Sequence, residues 1–461
     1  MSKITFILFS LVFSAMTGYS TDTLRLQDFL EVIHENHPLI KNANLFDEYA
    51  EAYRVKGKGA LDPKLQSDYH RKKFGDVDYY TIWQSELKVP TKLPIDLSVG
   101  YESNDGTFLA NDDSVPQNGL LYGTVNITLL RGLLFDDQRF QLQLADLNGV
   151  KSRLEKDILI REIVYQAVSS YIDWSTAHYI EEVYEEYFDL VSNRHQNILS
   201  LFFNGDIPAI DTIESKVNLN TAEKSYLEIS EKLVSKEQKL NLFIWNDEDQ
   251  PLEIGDNVYP SKLDDLLRYL EKISFILDPI FNNDPSIRKV ENEIEIFELA
   301  MRLDKEQLKP QLDLKYNTIV DFGKEDFDPS FSLNDYKFGV SFEYAILNRK
   351  TKGEIRLAEA MIDQKSYDSI QYEETLSNKY VELTKRQSIQ LEILDVINEK
   401  INNSQALYEA EDLKFGLGES SIFLLNQRER KLVEAKTEQI KSYLTIGQLL
   451  AERYYLKLGQ N

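Results

Sequence analysis

His37-Pro38-Leu39-Ile40 opens a stretch that closes on Asp62-Pro63-Lys64-Leu65, with Tyr69 beyond, and Asp284-Pro285-Ser286-Ile287 opens another that closes on Lys309-Pro310-Gln311-Leu312, with Tyr316 beyond. Both prolines, the leucine and the tyrosine recur 247 positions on without a gap. Chance supplies one such match but not four in one frame, so the chain is an internal duplication, a feature that governs every later assignment. The prolines bracket helix-compatible segments, because proline is tolerated at a helix start and excludes a helix just before it.

After the second proline of each copy the pattern changes to period two. Leu93, Ile95, Leu97, Val99 and Tyr101 alternate with Asp96, Ser98, Gly100 and Glu102. Val125, Ile127 and Leu129 alternate with Thr124, Asn126 and Thr128, and Tyr336, Phe338, Val340, Phe342 and Tyr344 with Lys337, Gly339, Ser341 and Glu343. One face is apolar and one polar. A soluble sandwich and a membrane barrel both produce this alternation.

The following segments separate the two. Asp137 to Phe203 contains no proline and only Gly149, and Glu354 to Phe415 contains neither residue. Helices of this length would each reach roughly 90–100 Å. Such runs point to coiled coil rather than to a globular core. Phe140, Leu144, Leu147, Leu154, Ile158, Tyr165, Val168 and Ile172 follow a 3–4 spacing, as do Leu376, Tyr380, Leu383, Leu394, Ile397 and Ile401. Gln387 and Gln390 interrupt the second stripe. So narrow a stripe suits helices packed side by side around a wet interior. It predicts the two long helices running alongside each other, with no complete core inside a monomer.

Each long helix ends in a glycine turn: Phe203-Asn204-Gly205-Asp206-Ile207-Pro208 in the first copy and Phe415-Gly416-Leu417-Gly418-Glu419-Ser420-Ser421 in the second. Glycine at the end of one helix with Asp or Ser capping the next is sufficient for a helical hairpin. The predicted organisation is a first repeat over 21–245, with strands at about 64–130 and helices at 137–203 and 209–242. A linker with some structure covers 246–283. The second repeat is 284–461, with strands at about 311–346 and helices at 354–415 and 421–456.

The first twenty residues read as a secretory signal. Lys3 precedes an apolar run from Ile4 to Met16, and Gly18-Tyr19-Ser20 supplies small residues for cleavage, assigned after Ser20. The run is too short for a membrane-spanning helix, which needs about 20 residues. The chain has no cysteine, which excludes disulfides, thiolate metal sites and cysteine nucleophiles. A net charge of −25 argues against a nucleic-acid partner. The histidines, His34, His37, His70, His178 and His195, form no recognised metal motif, and His34 and His37 read as capping or surface residues. No phosphate-binding, dinucleotide or nucleophile-elbow motif occurs, so neither a cofactor nor catalysis is expected.

With these features assembled, the mature chain resembles the TolC-type outer-membrane efflux proteins. Leu24-Arg25-Leu26, Phe29-Leu30 and Asn36-His37-Pro38 are similar to that family's opening. Leu129-Leu130-Arg131-Gly132, with Tyr344-Ala345-Ile346-Leu347-Asn348-Arg349 as a weaker twin, is similar to its passage from barrel to helix. The resemblance implies a mostly α fold in which long helices form an α-barrel tunnel continuous with a trimeric membrane β-barrel. It implies a homotrimer in outer-membrane lipid, with the helical part in the periplasm, docked to a periplasmic adaptor and an inner-membrane transporter. The function it implies is a passive exit duct for efflux or type I secretion. A periplasmic or surface coiled-coil protein without a pore is the competing reading.

Two departures stand out. In the family the first repeat supplies two strands, whereas Lys64–Phe74, Tyr79–Val89, Leu93–Tyr101 and Leu121–Leu130 all have strand character here, with an extra hairpin placed near Pro90-Thr91. The arginine that the family carries soon after the second glycine is replaced by Ser420. The residues expected around the entrance at the turns are Gly205, Asp206, Asp211, Glu214, Gly418, Glu419 and Asn426.

Overall fold

The computed structural model describes residues 22–110, 114–255, 257–276, 281–322 and 334–459. The expected signal segment 1–20 and its cleavage point lie outside the described residues. The helices are α1 (Leu26–Asn36), α2 (Pro38–Lys58), α3 (Asp137–Asn204), α4 (Ala209–Asn241), α5 (Leu263–Ser274), α6 (Pro285–Gln307), α7 (Arg349–Gly416) and α8 (Ile422–Leu458). The strands are β1 (Asp22–Leu24), β2 (Lys64–Phe74), β3 (Val77–Val89), β4 (Ile95–Asp105), β5 (Leu120–Leu130), β6 (Val258–Pro260), β7 (Gln311–Asp321) and β8 (Tyr336–Glu343). The chain divides into two compact units. One is built from residues up to Asn44, Asp157–Pro285 and Glu373 onward, the other from Leu45–Lys156 and Ser286–Tyr372.

In the second unit, six antiparallel strands lie in the order β2-β3-β4-β5-β7-β8. Four precede the first long helix, and the stretch around Pro90-Thr91 is the turn joining β3 to β4. Among the described residues the sheet does not close within one chain. β2 and β8 are its open edges, and a long open edge is a template for pairing with another strand.

The register sorts side chains onto two faces. Across one run the rows Ile95–Ile127–Leu314–Val340, Leu97–Val125–Tyr316–Phe338 and Leu129–Leu312–Phe342. Across the other run Lys88–Ser98–Thr124–Asn317–Lys337 and Asp96–Asn126–Lys315–Gly339. At the sheet end away from the helix connections, aromatic rings cluster as Phe74–Tyr79–Phe108 and Trp83–Tyr101–Phe322.

Helices of the same unit pack in the order α2-α3-α6-α7. Lys156 of α3 bonds Asp47 of α2, and a Cβ at Gly57 would lie 2.4 Å from Ala145 Cβ, so glycine permits that close approach. Lys151 and Lys365 both reach Glu293 of α6, holding it between α3 and α7.

The first unit has a buried core of Leu26, Phe29, Ile33, Ile40, Ala167, Val168, Tyr171, Ile172, Trp174, Leu240, Leu266, Leu270 and Leu450. Each of the larger apolar side chains contributes about 1.5–3 kcal/mol on burial. The expectation of no complete core is therefore corrected: α1 and the amphipathic α5 roof the long helices and supply the missing apolar surface. β1 adds to this by pairing in parallel with β6, and the Tyr171 hydroxyl donates to the Leu24 carbonyl at 2.6 Å.

The long helices α3 and α7 are likewise not simply side by side. α8 contacts both, through Gln448 to Asp173 on α3 and through Glu438 to Lys400 on α7, while α4 packs against α3 through Lys236–Asp173. Among the described residues, no helix is long and apolar enough to cross a membrane.

Candidate functional site: the paired glycine turns

The two turns share one backbone device. At the end of α3 the Gly205 N–H donates to the Phe202 carbonyl at 2.9 Å and the Asp206 N–H to Leu201 at 3.0 Å. At the end of α7 the Gly418 N–H donates to Phe415 at 3.0 Å and the Glu419 N–H to Lys414 at 2.8 Å. This bond pair is the Schellman ending, and it needs a left-handed residue, here Gly205 at φ +81° and Gly418 at φ +76°.

The capping expectation holds for only one turn. Ser421 caps α8, its side chain accepting from the Leu424 N–H at 3.4 Å. Asp206 does not cap α4. The N-cap falls two residues past Asp206, as it falls two past Glu419 in the other turn, and Pro208 there has no side-chain acceptor to offer. Asp206 and Glu419 thus occupy equivalent exposed positions, one residue past each glycine.

Behind the turns lies a polar cluster that the sequence reading missed. Arg194 of α3 donates to both carboxylate oxygens of Glu429 on α8, at 2.6 and 2.9 Å. It also reaches the Asn426 carbonyl oxygen at 3.2 Å and the Tyr408 hydroxyl of α7 at 3.5 Å. Burial works against the Arg194 charge, but the two bonds to Glu429 outweigh it and raise its pKa. Neighbouring Tyr187 is pushed up to about 12 by burial, with the Glu429 charge adding to the effect. The available signal was spacing: Arg194 and His195 stand between buried Val191 and Ile198 at core intervals, and Asn426 and Glu429 between Leu425 and Leu432.

This cluster places the turns. Arg194 is about 15 Å along the helix axis from the end of α3, and Tyr408 about 12 Å from the end of α7, at 1.5 Å per residue. Both glycine turns therefore lie at the same end of the helix layer. Asp211 and Glu214 are half-buried on the first turns of α4, and neither carboxylate has a hydrogen-bond or ion-pair partner among the described residues. Asn426 is enclosed rather than presented to an opening, being 2% exposed and bonded to Arg194. At the second turn Ser420 donates to Glu411, holding that carboxyl below its ordinary pKa. Phe203, Ile210, Ile213, Leu417 and Phe423 are exposed around the same turns.

Two of the histidines play structural parts. The His37 ring is buried and accepts the Leu39 N–H on Nδ1, so Nε2 carries the proton donated to the Leu242 carbonyl. Burial lowers its pKa, consistent with the neutral ring. His195 bonds Ser215 at 2.7 Å, tying α3 to α4. Among the described residues no cluster of three or more His, Asp and Glu side chains could hold a metal. The polar face of the sheet forms a hollow of about 570 Å³ lined by both charge signs, including Glu86, Lys88, Asp96, Asp313 and Lys315.

No family model matches the chain, and no curated protein sequence matches it. Solved structures do. The outer-membrane channel OprN matches with a TM-score of 0.66 at 15% identity, over 95% of this chain and 90% of that one. The Campylobacter jejuni CmeC outer-membrane channel matches at 0.64 and 12%, over 94% and 86%. The Vibrio cholerae outer-membrane protein VceC matches at 0.65 and 11%, over 94% and 95%. The chain has the fold of these outer-membrane channels, along nearly its whole length.

Proposed function

We propose that the chain is one protomer of a homotrimeric outer-membrane channel, a passive exit duct without catalytic chemistry. The observation that carries this reading is the two-faced sheet with two open edges. Rows such as Leu97–Val125–Tyr316–Phe338 form an apolar band suited to lipid, and the charged rows opposite suit a water-filled lumen. Lipid tolerates no unpaired strand edge, so β2 of one copy must meet β8 of another. Head-to-tail contacts of this kind close into a ring. The helix layers support the same assembly. In the second unit α7 exposes Leu357 and Ile370 and α2 exposes Tyr49 and Val55, and in the first unit α7 exposes Val381, Ile389 and Val396 and α4 exposes Val217 and Val234, apolar surface available to a neighbouring copy.

In this reading the helices stand in the periplasm and the paired turns form the entrance. Their exposed apolar side chains would dock a periplasmic adaptor, which links the duct to an inner-membrane transporter. Asp206, Asp211, Glu214 and Glu419, repeated three times, make the entrance acidic. The fold shared with OprN, CmeC and VceC favours this reading over a coiled-coil protein without a pore. The test is fractionation of cell envelopes followed by mass and planar-bilayer measurements on the purified protein. A conducting trimer from the outer-membrane fraction is expected. A water-soluble monomer without conductance would overturn the proposal.

A further inference from the structure

The six strands of one copy carry information about the junction between copies. β2 and β7 are equivalent in the duplication, Lys64–Phe74 lying 247 positions before Gln311–Asp321. β5 and β8 are equivalent as the last strand before each long helix. Inside the chain, β5 pairs with β7 along eleven residue pairs, from Leu120↔Asp321 to Leu130↔Gln311. The counterpart of that junction is β8 with β2, and these are the two strands left open.

The counterpart junction also comes with a register. Leu312 sits between Leu129 on one side and Phe342 on the other, all on the apolar face. Its equivalent, Leu65, has Leu87 on one side and nothing on the other. Leu65 and Phe342 are 79% and 67% exposed, so each lacks the neighbour that the other would supply. An even number of strands per copy keeps the junction antiparallel, and the apolar band continues across it. The β2–β3 hairpin is joined to the rest in the same way, β3 pairing with β4 from Thr81↔Asp105 to Val89↔Leu97 with no break in register.

We propose that three copies close an eighteen-stranded barrel through a β8–β2 junction that repeats the β5–β7 junction, giving a bore that passes a polypeptide folded as a helical hairpin. This rests on the trimeric-channel reading. At a strand spacing of about 4.8 Å and a tilt of about 40°, eighteen strands give a backbone diameter of roughly 36 Å, and twelve strands roughly 24 Å. Side chains remove roughly 5 Å from each wall, half the spacing of packed sheets. The remaining bores are about 26 and 14 Å. One helix is about 10–12 Å wide and a packed pair about 20 Å. The wider barrel admits the pair and the narrower one only a single helix.

The chain contains no cysteine, so introduced thiols are unambiguous. Leu65→Cys combined with Phe342→Cys is expected to give covalent trimers on oxidation of the assembled protein, with each single variant remaining uncross-linked. The competing arrangement leaves β2 and β3 outside the barrel and sets β8 against β4 of the next copy. Covalent trimers from Phe342→Cys with Ile95→Cys, Leu97→Cys or Val99→Cys, in place of the Leu65 pair, would overturn the inference while leaving the trimeric channel intact. Electron microscopy of the unmodified oligomer is independent of any substitution. Eighteen strands at roughly 36 Å are expected, and twelve at roughly 24 Å would refute the inference. A protein that stays monomeric in mass measurements fails the channel reading itself and takes this inference with it.

Discussion

Leu97→Arg and Ser98→Arg put the same side chain on adjacent residues of β4 but on opposite faces of the sheet. Leu97 is flanked by Val89 and Val125, with Tyr316 and Phe338 further along the row. Ser98 is flanked by Lys88 and Thr124, and its hydroxyl donates to Glu86. If the apolar face meets lipid, Leu97→Arg moves a cation into hydrocarbon. Leu97 lies three residues from Gly100, the centre of β4, which at about 3.3 Å per residue and 40° tilt is about 8 Å from the bilayer midplane. That depth favours the lower end of the 2–4 kcal/mol scale for lipid-facing arginine, about 2 kcal/mol per copy and about 6 kcal/mol for three copies. Ser98→Arg loses one hydrogen bond and gains an ion pair with Glu86 in a wet lumen, a net change within about 1 kcal/mol. The assay is reversible folding of the variants into lipid vesicles, followed by the trimer band that resists detergent. Leu97→Arg is expected to lower folded trimer at least thirtyfold under conditions that leave Ser98→Arg unaffected. Equal losses from the two would refute the assignment of faces.

Arg194→Ala strands the buried Glu429 carboxylate and should cost about 3–5 kcal/mol, whereas Arg194→Met with Glu429→Met should recover most of that in denaturant titrations. Gly418→Ala forces a left-handed alanine and is expected to cost about 1–2 kcal/mol from its own backbone alone, since a Cβ there meets no other residue within 4 Å. His37 has a folded pKa below its unfolded value of 6.5, so the unfolded chain binds the extra proton. Its contribution to stability is therefore complete above about pH 6.5 and lost as pH falls toward the folded pKa. His37→Asn should flatten that part of a melting-temperature profile between pH 7.5 and 5.5. Asp211→Asn with Glu214→Gln should reduce the cation selectivity of the reconstituted channel while leaving the trimer intact. Unchanged selectivity and conductance would remove these two residues from the entrance.

The elements that were legible in the sequence are those governed by local rules. The Pro38/Pro285 and Pro63/Pro310 pairs mark α2, α6 and the starts of β2 and β7, because proline restricts its own backbone and that of the residue before it. The absence of proline and the scarcity of glycine from Asp137 to Phe203 leave helix as the remaining regular choice, and α3 runs through that range. Alternation in β4, β5 and β8 separates the faces of each strand whatever lies beside it. Gly205 and Gly418 mark both helix ends, since glycine enters the left-handed region without steric cost.

Side-chain partners distant in sequence were beyond these rules. No local rule singles out Arg194, and only the packing of α8 and α7 against α3 brings Glu429, Asn426 and Tyr408 around it. Asp206 looked like a cap because its composition suits one, but the N-cap falls two residues past it, at Pro208. α1 and α5 supplied a core that the interrupted heptads had argued against. By itself the sequence determined the duplication, the element types, the two faces of the strands and the glycine turns, all of which arise from short-range sterics and side-chain periodicity. The tertiary structure decided the strand order, the open β2 and β8 edges, the interleaving of the returning helices and the buried ion pair. These depend on which surfaces meet across more than two hundred residues, and periodicity specifies a face without naming its partner.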